Sequence, residues 1–135
     1  MKKIFTQGLL AANILVYSSV AFAGFGENKW FFAPDESVTI IPSDIVRQGA
    51  EYSCEVFEPK KVSFTLSYST PSDLNKLKIV GDDEKKITHD KEKKIFTLKN
   101  IKSLHISFPS SGHYIFKNIT KKKVIGTHCD TGDYD

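Results

Sequence analysis

Four histidines, two cysteines and one serine-rich turn are the residues of this chain whose types could carry chemistry. His89, His105, His113 and His128 show none of the HxH or HxxxH pairing by which zinc sites gather ligands, so no metal or other cofactor is implied. Ser110-Ser111-Gly112-His113 sets hydroxyls beside an imidazole. Following Pro109, this is ordinary turn composition, and the Gly-x-Ser-x-Gly elbow of a serine nucleophile is absent. Carboxylates crowd the stretch from Asp82 to Lys94 without the alternating spacing and central glycine of a calcium loop. No glycine-rich phosphate loop occurs. The chemistry left is recognition by a non-enzymatic protein, with the Ser110 to His113 turn as its first candidate contact.

The chain of 135 residues opens with a pattern unlike the rest. Lys2 and Lys3 precede a mostly apolar run from Ile4 to Val20, and Ala21-Phe22-Ala23 places small residues where a signal peptidase cuts. Residues 1–23 are therefore expected to be a cleaved leader of bacterial type. Residues 24–135 would then form one domain, released to the periplasm or secreted with no membrane anchor. With 19 basic and 16 acidic residues the chain carries +3, two of which leave with the leader. Such a near-neutral surface of interleaved signs has no field for steering onto nucleic acid. Outside the cytoplasm an even cysteine count favours pairing, so Cys54 and Cys129 are expected to form one disulfide. That bridge would staple the first strand of the domain to the last.

The elements that must position these residues read as strands. Val62, Phe64, Leu66 and Tyr68 alternate with Ser63, Thr65 and Ser67, the period of a strand with one face inward. Tyr52, Cys54 and Val56 alternate with Ser53 and Glu55 in the same way. Ser37 to Ile41, between Pro34 and Pro42, reads as an edge strand. Leu77 to Val80 and Ile95 to Leu98 are short strands around the charged run, itself a solvated face or hairpin tip. Ser103 to Cys129 reads as three strands with two turns, Lys121-Lys122-Lys123 marking a tip or charged edge. Thr70 to Asp73 is a turn, Ser43 to Gly49 a connection, and Asp130 to Asp135 a frayed tail. Trp30-Phe31-Phe32 admits two readings: a strand burying its rings, or an exposed aromatic arm offered to a partner. Asn118-Ile119-Thr120 is a glycosylation sequon on paper. No segment holds a 3.6-residue apolar period over a helix length, so the class is all-β, a small antiparallel sandwich.

Two resemblances add to this. Leu104-x-Ile106 followed by Ser111-Gly112-x-Tyr114-x-Phe116 resembles the E strand, corner and F strand of immunoglobulin-like domains, with Val38-x-Ile40 and Tyr52-x-Cys54 similar to their A and B strands. In that family the corner tyrosine bonds back to the preceding backbone, which implies such a role for Tyr114. Phe116 stands where the family has a cysteine. More weakly, Tyr52-x-Cys54, Ser111-Gly112-x-Tyr114 and Cys129, in that order, resemble exported inhibitors of C-type lysozyme, small β-barrels whose loop enters the enzyme cleft. The tyrosine here comes one residue early, and the Trp-bearing segment after the loop is missing.

The expectation is an inhibitor or immunity-type protein that binds another macromolecule, a protein, in the cell envelope. Its candidate contacts are Ser110, Ser111, Gly112 and His113, with Trp30 and Phe31. The alternative is a structural or adhesive module of a surface assembly.

Overall fold

A computed structural model describes residues 24–26, 28–42, 50–69 and 74–133. The expected leader, the Ser43 to Gly49 connection and the Thr70 to Asp73 turn lie outside these residues. Among the described residues eleven strands follow in order: β1 (Gly24–Phe25), β2 (Lys29–Phe32), β3 (Ser37–Ile40), β4 (Ala50–Glu58), β5 (Val62–Tyr68), β6 (Lys78–Gly81), β7 (Ile87–Asp90), β8 (Ile95–Ile101), β9 (Leu104–Phe108), β10 (Tyr114–Asn118) and β11 (Val124–Asp133). They form two antiparallel sheets, ordered β1-β2-β11-β4-β9-β6 and β3-β10-β5-β8-β7. Single 3-10 turns at Leu74–Lys76 and Glu84–Lys86 are the helical elements described.

The apolar faces of the two sheets meet in one core. On β5 the alternation is complete: Val62, Phe64, Leu66 and Tyr68 are buried, and the residues between them are partly exposed. Phe64 stacks on Phe116 of β10 with ring centroids 4.4 Å apart. Phe32, Trp30 and Phe57 close around the pair from the six-stranded sheet. Burying each such ring contributes about 2–3 kcal/mol, which makes this cluster the main cohesive element. At one side of the sandwich β1 approaches β3 so closely that a Cβ on Gly24 would lie 2.7 Å from Val38 Cγ1. At the other side the Glu84–Lys86 turn carries the chain from β6 to β7.

The disulfide is formed between Cys54 and Cys129. It joins directly opposed residues of β4 and β11, neighbours in the six-stranded sheet. Cys54 therefore sits on the fourth strand and not the first, and the bridge lies within one sheet, whereas the immunoglobulin bridge spans two. Gly126 lies beneath it: a Cβ there would sit 2.5 Å from one sulfur and 2.9 Å from the other.

Two further expectations are corrected and a third is sharpened. Val56 does not continue the inward face of Tyr52 and Cys54; β4 switches faces after Cys54, so that Val56 is 48% exposed and Phe57 takes the core position. Of the expected frayed tail, Asp130 to Asp133 instead extend β11 against Ser53 to Ala50, and Tyr134 and Asp135 lie outside the described residues. The charged run contains an edge strand, β7, and only Lys91–Lys94 form the hairpin tip, where Asp90 Oδ1 accepts from the backbone N–H groups of Glu92 and Lys93.

Candidate functional site

The turn that the sequence singles out is the β9–β10 corner. Pro109 is buried, Ser110 and His113 are exposed, and Gly112 between them has φ +98°, a conformation that side chains disfavour. The corner is held at both ends. The Tyr114 hydroxyl donates to the Ser111 carbonyl at 3.3 Å, and its ring lies 4.9 Å from that of Phe108. The His113 carbonyl accepts from the Ser69 backbone N–H at 3.2 Å, tying the corner to the end of β5.

Beside this corner runs a groove of about 280 Å3 lined by Thr39, Ser67, Tyr68, Ser69, His113 and Ile115. Its floor is a register row. Ile115 of β10 is flanked by Thr39 of β3 and Ser67 of β5, on the outer face of the five-stranded sheet. Tyr114 and Phe116 both point inward, so Ile115 between them must point outward, and it is 46% exposed. None of the lining residues is Lys, Arg, Asp or Glu, in a chain of which 26% is charged. Loss of charge around an exposed apolar residue is the compositional mark of an interface centre. Further along the same sheet, the Tyr68 hydroxyl hydrogen-bonds His89 Nε2 at 2.7 Å, and the imidazole stacks on Phe96 with centroids 4.0 Å apart.

The structure gathers Ser110, Ser111, Gly112 and His113 at this corner but does not add Trp30 and Phe31 to them. Those two belong to β2, in the other sheet. Trp30 is fully buried, its Nε1 donating to Thr131 Oγ1 at 3.0 Å, so it cannot serve as an exposed arm. Phe31 alone stays partly exposed, opposite Ile125. The run goes inside because alternate rings, Trp30 and Phe32, fill the space above Phe116.

His105 lies on β9 of the six-stranded sheet, 3.4 Å from Glu51, whereas His113 lies in the corner that follows that strand. Among the described residues no three His, Cys, Asp or Glu side chains converge as metal ligands. The sequon is also accounted for. Asn118 is completely buried. Its Nδ2 donates to the carbonyls of Ala33 and Lys122, each at 3.0 Å, and its Oδ1 accepts from the Thr120 N–H at 2.8 Å. Sequence reasoning missed Ile115, Thr39 and Ser67 as site residues. The signal for Ile115 was present in its outward parity; the other two are brought to it by strand pairing.

Among the described residues no helix is long and apolar enough to cross a membrane. No family model, no characterised protein and no solved structure matches this chain.

Proposed function

We propose that this is an exported, non-enzymatic binding protein of the cell envelope, an inhibitor or immunity-type protein that docks on a protein partner through the β9–β10 corner and the groove beside it. The observation that carries the reading is the exposed Ile115, set in an uncharged row and overhung by a corner pinned at both ends. A pre-ordered loop loses little conformational freedom on docking, which is what plugging an enzyme cleft requires. Export is supported by the leader pattern at residues 1–23 and by the disulfide. The Tyr114–Ser111 hydrogen bond favours an immunoglobulin-type corner, while the bridge within one sheet departs from that family. Inhibition of a lysozyme is the most specific form of the proposal. The test is a panel of cell-wall hydrolases assayed with the purified protein. Slowing of at least one at stoichiometric concentration is expected; unchanged rates throughout would remove the inhibitor reading.

The alternative, a structural or adhesive module, draws on β7, which among the described residues is an edge strand of the five-stranded sheet and thus a candidate for strand addition. Light scattering separates the two, since a monomer at high concentration argues against self-assembly.

A further inference from the structure

At the opposite end of the sandwich a second feature is built by a backbone irregularity. Ala50, Tyr52 and Cys54 face the core along β4, yet the next inward residue is Phe57. Glu55 and Val56 are both exposed. The facing strand does the same: Val124 and Gly126 are buried, Cys129 is buried, and between them His128 takes φ +56°. Paired strands that switch faces together re-aim a side chain, as bulges commonly do beside binding sites. The side chain re-aimed here is Val56, which simple alternation would bury.

Two clefts flank it and share Val56, Phe57 and Lys60. One, of about 390 Å3, is completed by Glu55, Lys61 and Lys102. The other, of about 240 Å3, is completed by Glu58, Ile125 and Thr127. Lys60 and Lys61 come from the β4–β5 turn, and Lys102 from the β8–β9 turn, whose position is fixed by its backbone N–H donating to Asp82 Oδ1 at 2.7 Å. The three ammonium groups are uncommitted: among the described residues the ion pairs are Lys86–Asp82 and His105–Glu51. The larger cleft thus sets three free cations and one carboxylate around an apolar floor.

We propose that this end binds an amphiphilic anion, its carboxylate or phosphate head among Lys60, Lys61 and Lys102 and its apolar body across Val56 and Phe57 towards Ile125. The charge selects the head and the exposed valine selects the tail, so neither an inorganic anion nor a cationic amphiphile satisfies the site. The site is independent of the corner groove.

The test is a heteronuclear NMR titration of the purified protein with dodecanoate below its aggregation concentration, beside dodecyltrimethylammonium and phosphatidylglycerol vesicles. Saturable shifts at the Val56 methyls and the Lys60 and Lys102 amides are expected with dodecanoate, at least tenfold weaker with the cationic amphiphile and weakened by salt. The K60E/K61E/K102E variant should lose at least tenfold in affinity and Val56→Thr about threefold, both with unchanged melting. Equal binding of both amphiphiles, shifts mapping elsewhere, or a response to vesicles without one to free dodecanoate would overturn the proposal. Should the triple variant fold poorly, retained affinity in Val56→Thr would overturn it by itself.

Discussion

Where β9 turns into β10, the surface is neutral: an isoleucine between a threonine and a serine, under a histidine. Where β4 turns into β5, at the far end of the same β5 strand, three lysines stand around a valine. Both ends place one apolar side chain in solvent, and each does so by different means. Ile115 is outward by plain alternation; Val56 is outward because two strands switch faces. Their anchoring differs as well. The neutral corner is fixed by Tyr114, Phe108 and a backbone bond from Ser69; at the other end the buried Asn118 holds the turns at Ala33 and Lys122, and Asp82 holds Lys102. The difference is one of surface chemistry, uncharged contacts around an apolar residue at one end and charge over a short apolar floor at the other, and the two binding proposals rest on it. Salt should weaken only the second.

Four perturbations break or sharpen that contrast. The largest is loss of the bridge, which affects both ends alike. It closes a separation of 75 residues, so replacing both cysteines with alanine should cost roughly 4 kcal/mol, read as the difference in urea midpoint between the two forms. Next is Asn118→Ala, which removes the side-chain hydrogen bonds to the carbonyls of Phe32, Ala33 and Lys122 and to the Thr120 N–H and should cost about 3 kcal/mol. Its effect should be one-sided: amide exchange should accelerate in the turns around Ala33 and Lys122, while the Ser110 to His113 corner stays protected. Equal acceleration at both ends would show that they are not separately anchored.

Third is Gly126→Ala, whose methyl would press on both sulfurs. Overpacking of this kind should cost about 2 kcal/mol, seen as a lowered melting temperature that recovers when the cysteines are also removed.

The smallest effect belongs to Asp82. Its carboxyl is held down at about 2, against an ordinary 3.8, first by the hydrogen bond from Lys86 Nζ and then by the Lys102 N–H. A folded value below the unfolded one stabilises fully above 3.8, and the contribution disappears as pH falls through about 2. The pair is solvent-exposed, so Asp82→Asn should cost less than about 1 kcal/mol at neutral pH. It should flatten the acid limb of the stability curve over that interval and loosen the β8–β9 turn at the lysine end only.

How much of this was legible in the sequence follows from the range of the determining contact. Val62 to Tyr68 is readable because alternation is local and uninterrupted. The corner is readable because Pro109, Gly112 and Tyr114 are all turn or corner residues within a few positions. Val56 was misassigned because its orientation is set jointly with His128, on a strand whose register with β4 no local pattern reveals. Asp130 to Asp133 looked like a polar tail because the pairing that orders them is with Ala50 to Ser53. Trp30-Phe31-Phe32 left both readings open because three consecutive apolar residues carry no alternation. The groove was half visible: its corner is contiguous, but Thr39, Ser67 and Ile115 meet only through the strand order β3-β10-β5. Gly126 sits in a strand for a reason written in Cys54 and Cys129, not in its neighbours.

The central claim is that recognition is carried by the uncharged row at the β9–β10 corner. Its most direct test places one carboxylate on each sheet in turn, Ile115→Asp in the groove and Val80→Asp at an equally open position of the other sheet, 55% exposed. Both variants are assayed against a hydrolase that the unmodified protein is first shown to slow, with melting temperatures measured in parallel. The account predicts that both fold normally, that Ile115→Asp loses inhibition by at least tenfold, and that Val80→Asp retains it. Full inhibition by Ile115→Asp, or its loss in Val80→Asp alone, would contradict it.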